Sequence, residues 1–159
     1  MKSEEKTNVM RIIAQKKAWF ESFGYPEDGS LTGEEVAAYI GINPSAAFKT
    51  LVTVGKSGAH YVFDVPVNKE LDLKKAALAV GEKNVAMVKS KELLSLTGYI
   101  HGGCSPVGMK KFFTTTFDET VKNYETIYFS GGRIGSFIAV KREELAKIIK
   151  YNVAPLTVE

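Results

Sequence analysis

The sequence predicts a single α/β domain (α+β-like) over residues 1–159, built around a mixed β-sheet. A chain of 159 residues is long enough for one domain to bury a core without disulfide or metal staples. Hydrophobic residues make up 45% of the chain and charged residues 25%, as in ordinary soluble globular proteins. Short helical and strand patterns follow one another without the regular alternation of a doubly wound parallel sheet, so a mixed sheet is expected.

Two amphipathic helices are expected in the first third of the chain. Apolar residues recur at helical spacing over residues 8–23, with Thr7 as the N-cap. Thr32 and Glu35 have the spacing of a capping box, in which each side chain satisfies an amide of the first turn. Gly41 suits the left-handed position that ends this second helix.

Strands and shorter helices follow one another in the remainder of the chain. The β-branched runs at residues 48–54 and 61–65 flank a glycine-containing turn, which predicts a hairpin. A second hairpin is expected around residues 130–135, and the glycine-rich segment 98–108 interrupts regular structure. The other strands are expected at 85–88, 112–116, 126–129 and 137–140, and the other helices at 71–80, 91–96 and 142–150.

Composition narrows the class of protein. The net charge of +3 is compatible with a polyanionic partner but does not require one. Cys104 is the single cysteine, so no internal disulfide forms, in agreement with a reducing compartment. His60, His101 and Cys104 do not by themselves make a tetrahedral metal site. The apolar runs are too short to cross a bilayer, and residues 1–6 show no apolar signal segment, so the protein is expected to be cytosolic.

Lys49 and two glycine-rich segments are the candidates for chemistry. Lys49 lies at the start of an apolar strand, where it either points to solvent or faces a cleft. In a cleft, its ammonium group can bind a phosphate or polarise an ester carbonyl. Residues 102–106 form either an ordinary tight connection or a loop whose free amides hold an oxyanion. Residues 130–135 are typical of a hairpin turn.

Cys104 is a weak candidate for a nucleophile. A catalytic thiol needs an activating base, and His101 is close to it in sequence. Neighbours within a glycine-rich turn need not be positioned for proton transfer, so a small buried thiol is expected instead. Ser105 lacks the sequence context of a nucleophile elbow, so no serine triad is expected.

Two segments are specific enough to compare with known families. Residues 97–108 read Thr-Gly-Tyr-Ile-His-Gly-Gly-Cys-Ser-Pro-Val-Gly, and residues 127–132 read Ile-Tyr-Phe-Ser-Gly-Gly. With residues 6–11, 41–44, 48–51, 66–67 and 71–75, they resemble the YbaK/EbsC family over nearly the whole chain. Members of that family are similar to the editing domain of some bacterial prolyl-tRNA synthetases. The resemblance implies a mixed, strongly curved, barrel-like sheet surrounded by helices.

The resemblance also implies a site. Lys49, in the motif Phe-Lys-Thr-Leu, falls on the essential lysine of the family and is the expected catalytic residue. Neither a metal nor a cofactor is implied. The positions that correspond to substrate-binding residues are Tyr25, Thr50, Gly102, Gly103, Ser105 and Ser130.

The activity implied is removal of a wrongly attached amino acid from tRNA by a free-standing deacylase. The substrate implied is Cys-tRNA(Pro), with Cys-tRNA(Cys) in some members, and the thiol of the substrate itself attacks the ester. The implied partners are aminoacyl-tRNA and, in a ternary complex, prolyl-tRNA synthetase. Neither DNA nor a membrane is an expected partner.

Two departures from the family pattern leave the aminoacyl specificity open. Phe137 stands where some members have an aspartate, and Thr32 where some have an aromatic residue. Small pockets discriminate poorly between side chains of similar size, so either change can alter the ester that fits. The alternatives are a deacylase for another ester, such as Ala-tRNA(Pro) attacked by water, and a non-catalytic module that binds tRNA or a synthetase.

Overall fold

Two β-sheets with helices packed against them make up the fold. The computed structural model describes residues 6–159, so residues 1–5, where no signal segment was expected, lie outside the described part. The helices are α1 (Asn8–Gln15), α2 (Gly33–Ile40), α3 (Leu73–Val80), α4 (Ser90–Thr97) and α5 (Leu145–Ile148). The strands are β1 (Phe20–Gly24), β2 (Phe48–Gly55), β3 (His60–Pro66), β4 (Val85–Met87), β5 (Thr114–Asp118), β6 (Thr126–Ser130), β7 (Ser136–Lys141) and β8 (Asn152–Ala154).

The two sheets differ in size and strand direction. The smaller sheet is antiparallel, with the order β1-β7-β6. The larger has the order β4-β2-β3-β5-β8, antiparallel from β4 to β3 and parallel from β3 to β8. The expected mixed sheet and the two expected hairpins, β2–β3 and β6–β7, are therefore confirmed.

The expectation of a strongly curved, barrel-like sheet was wrong. Both sheets are open, since each series of paired strands ends in an edge strand on either side. Where the sheets meet, Ala47 and Tyr128 form an isolated parallel bridge rather than a continuous ladder. A barrel needs an unbroken ring of paired strands, and an isolated bridge does not supply one.

Local signals set the start of α1 and both ends of α2 as expected. The Thr7 side chain accepts a hydrogen bond from the Met10 amide at 3.3 Å and begins α1. Both bonds of the predicted capping box are present, with 3.2 Å from the Glu35 amide to Thr32 and 3.0 Å from the Thr32 amide to Glu35. Helices α2, α3 and α4 end at left-handed glycines, which are Gly41, Gly81 and Gly98.

The helix expected at residues 8–23 was predicted too long. It ends at Gln15, and Phe20–Gly24 forms strand β1 instead. Lys17 has a φ of 58°, in the left-handed region that disfavours an L side chain, and it turns the chain out of the helix. The following strand pairs with β7 near the other end of the chain, a contact that helical periodicity cannot reveal.

The C-terminal part also differs from the expectation. The strand expected at 112–116 begins at Thr114, and the helix expected at 142–150 is a short 3₁₀ turn, Arg142–Glu144, followed by α5. The strand β8 was not expected. It pairs in parallel with β5, with Thr116 opposite Asn152, and three residues are too few to carry a periodic signal.

The largest cluster of buried side chains includes residues of α1 and the smaller sheet. Ile13 of α1, Phe129 of β6 and Ile138 of β7 belong to this cluster, and each is 0% exposed. A second cluster includes residues of α3 and the larger sheet, among them Ala76 and Phe63. Among residues 6–159, no helix has the length and apolarity that a bilayer crossing requires.

Replacing Lys17 with glycine tests the strain at the end of α1. Glycine adopts a positive φ at little steric cost, so Lys17→Gly is expected to raise the free energy of unfolding by about 0.5–1 kcal/mol. The matched change Lys16→Gly, at a residue with a φ of −80°, is expected to lower it, because glycine there only adds entropy to the unfolded chain. Urea denaturation of both variants measures the difference. A Lys17→Gly protein less stable than the wild type would contradict the strain.

Candidate active site

The start of β2 lies beside the end of β6. Ala47, directly before β2, forms the parallel bridge with Tyr128 of β6. Because side chains alternate along a strand, Lys49 lies on the same side of its strand as Ala47, and Ser130 on the same side as Tyr128. The bridge therefore brings the expected catalytic lysine and an expected substrate-binding serine to one face.

Lys49 is a half-buried cation. Burial lowers the pKa of its ammonium group, while the carboxylates of Glu70 and Glu34 act in the opposite direction. The ammonium group forms no ion pair with any described carboxylate. A desolvated ammonium without an ion-pair partner can bind an anionic or carbonyl oxygen of a ligand.

Two aromatic rings line the same face. Phe137 lies opposite Ser130 in the β6–β7 ladder, and its ring meets that of Tyr25 edge-on, with 6.2 Å between centroids. The Tyr25 amide donates to the Gly135 carbonyl at 3.0 Å and holds this residue against the hairpin turn. Burial raises the pKa of the Tyr25 hydroxyl, while its hydrogen bond with Gly135 and the positive charge of Arg133 act to lower it. The pKa stays above its ordinary value, so the hydroxyl is neutral.

The glycine loop approaches the β6–β7 turn closely. A Cβ atom at Gly103 would lie 3.0 Å from both the Arg133 Cα and the Ile134 nitrogen, so a side chain there would force the loop away. Gly102 has a φ of 88° and also lies beside Ile134. The Gly103 amide donates to the Ile100 carbonyl at 3.0 Å, whereas the Gly102 amide has no acceptor among residues 6–159. The Gly102 amide is therefore available to a ligand.

Ser130 begins a tight turn. Its side-chain oxygen accepts a hydrogen bond from the Gly132 amide at 3.0 Å, which leaves the hydroxyl proton available to a ligand. The Gly131 amide donates to the Ser136 carbonyl at 2.9 Å and closes the turn. A Cβ atom at Gly131 would overlap the Ser136 hydroxyl, so a side chain at this position would displace that of Ser136.

Thr50 lies on the opposite side of β2 from Lys49. Its hydroxyl donates to Asp64 Oδ1 at 2.6 Å, directly across the β2–β3 ladder. Asp64 is 0% exposed, its Oδ2 has no hydrogen-bond partner among the described residues, and burial raises its pKa to about 8. A lone aspartate in the apolar run at residues 61–65 is the sequence signal for this carboxyl, which was not among the expected site residues.

Cys104 is the small buried thiol that the sequence predicted. Burial and the nearby Asp64 raise its pKa to about 12, opposed by a hydrogen bond with Thr97. The thiol is therefore protonated at neutral pH and is not an activated nucleophile. His101, the base considered for it, is exposed to solvent.

The expected site residues fall into two groups. Lys49 and Ser130 share a face where β2 meets β6, Tyr25 packs against Phe137 on that face, and Gly102 and Gly103 lie beside the β6–β7 turn. Thr50 faces Asp64, on the other side of β2. Ser105 is 0% exposed, and its side-chain oxygen accepts a hydrogen bond from the Val107 amide at 3.3 Å inside the loop.

The structure also accounts for one departure from the family pattern and describes the surroundings of the other. Thr32 serves as the N-cap of α2, a role that an aromatic side chain cannot perform. Phe137 is 6% exposed and belongs to a cluster of apolar side chains with Val36 and Val67, where a carboxylate would be desolvated. Within residues 6–159, no group of three or more His, Cys, Asp or Glu side chains is arranged to hold a metal ion.

A mixed α/β domain with a half-buried lysine beside a serine turn and a glycine loop matches a known class of protein. The chain belongs to the aminoacyl-tRNA editing domain family, whose model matches residues 27–148. That range contains Lys49 and the loops described above, and Tyr25 lies just before it. The class of enzyme expected from the sequence, an aminoacyl-tRNA deacylase, is thereby confirmed.

Individual relatives agree with this family. An Enterococcus faecalis protein named "Putative Cys-tRNA(Pro)/Cys-tRNA(Cys) deacylase EbsC" is 42% identical over 158 residues, covering 98% of this chain and 96% of the relative. A crystal structure of "a putative trans-editing enzyme for prolyl tRNA synthetase" aligns with a TM-score of 0.83 at 25% identity, covering 98% of this chain and 100% of that one. The proline–tRNA ligase of Thermosipho melanesiensis is 33% identical over 78 residues, covering 49% of this chain and 14% of the ligase. The resemblance to the YbaK/EbsC family is confirmed.

Asp64→Asn tests the buried carboxyl through pH dependence. Because the folded-state pKa of about 8 exceeds the ordinary value of 3.8, the folded protein holds a proton that the unfolded chain releases between these values. The free energy of unfolding of the wild type is therefore expected to fall as the pH rises from about 5 to about 8, and Asp64→Asn is expected to flatten this dependence. Thermal unfolding across this range measures the slope.

The matched control is Asp28→Asn. This carboxylate is exposed and its pKa is lowered by hydrogen bonds with Ser30, so it does not titrate in the same window. The control is expected to keep the wild-type slope. If Asp64→Asn kept it as well, the buried carboxyl would not be the group that titrates.

Proposed function

We propose that this protein is a trans-editing deacylase that clears Cys-tRNA(Pro), and Cys-tRNA(Cys) as a related substrate. The observation that carries the proposal is the half-buried Lys49 ammonium, which has no ion-pair partner among the described residues and shares a face with Ser130. The name of the Enterococcus relative supports the choice of substrate. The proposed domain extends over residues 1–159, and the proposed location is the cytosol.

In the proposed reaction, the substrate supplies its own nucleophile. The sulfur of the cysteinyl group attacks its ester carbonyl and forms a C–S bond, and the C–O bond to the terminal ribose breaks. The thiol proton passes to the departing ribose oxygen, so the products are tRNA and a cysteine thiolactone. No residue of the enzyme forms a covalent bond, which agrees with a Cys104 thiol that is buried and protonated.

The enzyme then has two tasks, which are to fold the substrate and to stabilise the developing oxyanion. The thiol and the ester belong to one molecule, so the enzyme contributes by holding them in the conformation in which the sulfur lies against the carbonyl carbon. Lys49 is proposed to contact the phosphate of the terminal adenosine or the reacting carbonyl. The Gly102 amide, which has no acceptor among the described residues, is proposed to hold the carbonyl oxygen as its charge develops.

The remaining proposed substrate contacts surround the aminoacyl group. Tyr25 and Ser130 each offer a hydroxyl on the shared face, and the close contact of Gly103 with the β6–β7 turn holds the loop in place. Thr50 and Ser105, whose side chains are engaged elsewhere, are proposed to contribute through the position of their backbone. No cofactor or metal is part of the proposal.

A second substrate is favoured by one observation. Phe137 makes the wall beside Tyr25 apolar, which suits a small apolar side chain such as that of alanine. Ala-tRNA(Pro) has no thiol, so water would have to attack its ester. The two substrates therefore differ in mechanism as well as in size.

Prolyl-tRNA synthetase is the proposed partner in a ternary complex with tRNA. The net charge of +3 is modest for autonomous RNA binding, because release of many counterions is the main source of affinity for nucleic acids. Similarity to part of a proline–tRNA ligase supports a common substrate. Co-sedimentation of the protein with synthetase and tRNA at micromolar concentration would detect the complex, and its absence there would count against it.

Lys49→Ala is expected to lower kcat/KM for Cys-tRNA(Pro) by about 100-fold or more, the usual effect of removing one preorganised charge-stabilising donor. The fold should remain, because the side chain is only half-buried and forms no ion pair with a described residue. Deacylation of radiolabelled Cys-tRNA(Pro) measures the effect, and circular dichroism checks the fold. The matched control, Lys69→Ala, removes a nearby lysine that belongs to neither loop and should keep wild-type activity.

Full activity of Lys49→Ala would refute the assignment of this site. If neither the wild type nor the variant cleaved any aminoacyl-tRNA while both bound it, the protein would be a non-catalytic binding module.

Exchange of the aminoacyl group tests the role of the substrate thiol. Replacing cysteine by serine on the same tRNA removes the thiol and nearly preserves the size, so the rate is expected to fall by about 100-fold or more if the thiol attacks. Side-by-side deacylation of Cys-, Ser- and Ala-tRNA(Pro) by the wild type measures this. Comparable cleavage of the seryl or alanyl ester would instead establish attack by water.

A further inference from the structure

An apolar cleft lies apart from the residues of the candidate site. It has a volume of about 370 Å³ and lies between α1, the end of the glycine loop, the approach to β5 and the end of α5. Its lining includes the apolar side chains of Ile12, Met109, Phe113 and Ile149. None of the residue positions assigned above belongs to this surface, which we call the lysine-rimmed cleft.

The rim of the cleft is positively charged. Lys16 and Lys150 belong to its lining. The exposed Lys110 and Lys111 do not line it but lie in the sequence between two further lining residues, Met109 and Phe112. None of the lining residues is acidic. None of these four lysines forms an ion pair with a described residue, so their charges are available to an anionic ligand.

Phe112 presents an aromatic face at the same rim. It is 58% exposed, unusual for a side chain of this size, whereas the adjacent Phe113 packs against His60 with 5.6 Å between ring centroids. An exposed aromatic ring among lysines is the combination that binds unpaired nucleotides, since bases stack on the ring and lysines contact phosphates.

One loop runs from the candidate active site to the cleft. Gly103 contacts the β6–β7 turn of the site, and Pro106, three residues further on, lines the cleft. Three residues span at most about 11 Å of extended chain. Successive nucleotides along one stacked strand are about 3.4 Å apart, which is about a third of that span, so the loop length corresponds to a few nucleotides. The Tyr99 hydroxyl donates to the Val107 carbonyl at 2.5 Å and ties the two ends of the loop together.

We propose that the lysine-rimmed cleft binds the unpaired 3′ nucleotides of the tRNA whose aminoacyl end occupies the candidate active site. The inference rests on the proposed function, which supplies an aminoacyl-tRNA as the ligand. Charge complementarity favours RNA over a protein partner, because the charged lining residues, Lys16 and Lys150, are both positive and the Phe112 ring that lines the cleft with them is exposed. Lys16 and Lys150 contact phosphates, and Phe112 stacks on a base.

The experiment measures the affinity of the full-length protein for uncharged tRNA(Pro) by fluorescence anisotropy, at several salt concentrations. The double variant Lys16→Ala/Lys150→Ala is expected to raise Kd about tenfold at low salt and to reduce the slope of log K against log salt by about 2. Phe112→Ala is expected to raise Kd about fivefold or more. The same tRNA without its 3′-terminal CCA is the second probe, and the Phe112→Ala effect should vanish for it.

The matched control removes two lysines from another apolar cleft. Lys74 and Lys83 line a hollow of about 280 Å³ beside α3, which also contains an acidic residue, Glu82. The double variant Lys74→Ala/Lys83→Ala loses the same charge and should bind tRNA nearly as the wild type does. Thermal unfolding of all variants checks that the fold is intact.

Three results would overturn the proposal. The first is that the cleft variants bind tRNA as tightly as the control variant does. The second is that the cleft variants lose equal affinity for intact tRNA and for tRNA without its CCA end, which would mean that the cleft contacts the duplex. The third is that the cleft variants lose affinity for purified prolyl-tRNA synthetase but keep their affinity for tRNA, which would make the cleft a protein-docking surface.

Deacylation by the wild type, assayed in parallel, distinguishes failure of this proposal from failure of the proposed function. If the wild type cleaved no aminoacyl-tRNA but its tRNA binding depended on the cleft, only the proposed function would be refuted. If the wild type cleaved aminoacyl-tRNA but its tRNA binding did not depend on the cleft, only the role of the cleft would be refuted.

Discussion

The contact between Ala47 and Tyr128 is the constraint on which the candidate site depends. It joins the two sheets through one parallel bridge, and Ala47 is 0% exposed there. The Ala47 carbonyl also accepts a hydrogen bond from the Val67 amide at 2.8 Å, so this residue ties the start of β2 to both the end of β3 and β6. Because protein interiors are close-packed, a larger side chain here would separate the strands, and Lys49 from Ser130 with them.

Burial gives the site its electrostatic character. Lys49 is half-buried on one side of β2, and Asp64 is fully buried on the other side of the same sheet. Burial disfavours the charged form of each group, so it lowers the pKa of the lysine and raises that of the aspartic acid. The sheet keeps the two groups apart. The lysine therefore faces a ligand rather than this carboxyl, which accepts a hydrogen bond from the Thr50 hydroxyl.

One glycine-rich loop serves two surfaces of the molecule. Its first part touches the β6–β7 turn at Gly102 and Gly103, where side chains would collide with that turn or distort the loop. Its second part, from Pro106, lines the lysine-rimmed cleft. The hydrogen bond from Tyr99 to Val107 holds the two parts together, so a ligand at either surface contacts the same structural unit.

The sequence by itself determined the start of α1, both ends of α2, the two hairpins and the family. Caps such as Thr32, stops such as Gly41 and the glycine turns act over a few residues, so their signals survive without the rest of the chain. Only the tertiary structure decided that Phe20–Gly24 is a strand, that β8 exists and that both sheets stay open, since these depend on hydrogen bonds between distant segments. It also decided that Lys49 faces the side of Ser130 and Thr50 faces Asp64, because strand register is set by packing rather than by sequence neighbours.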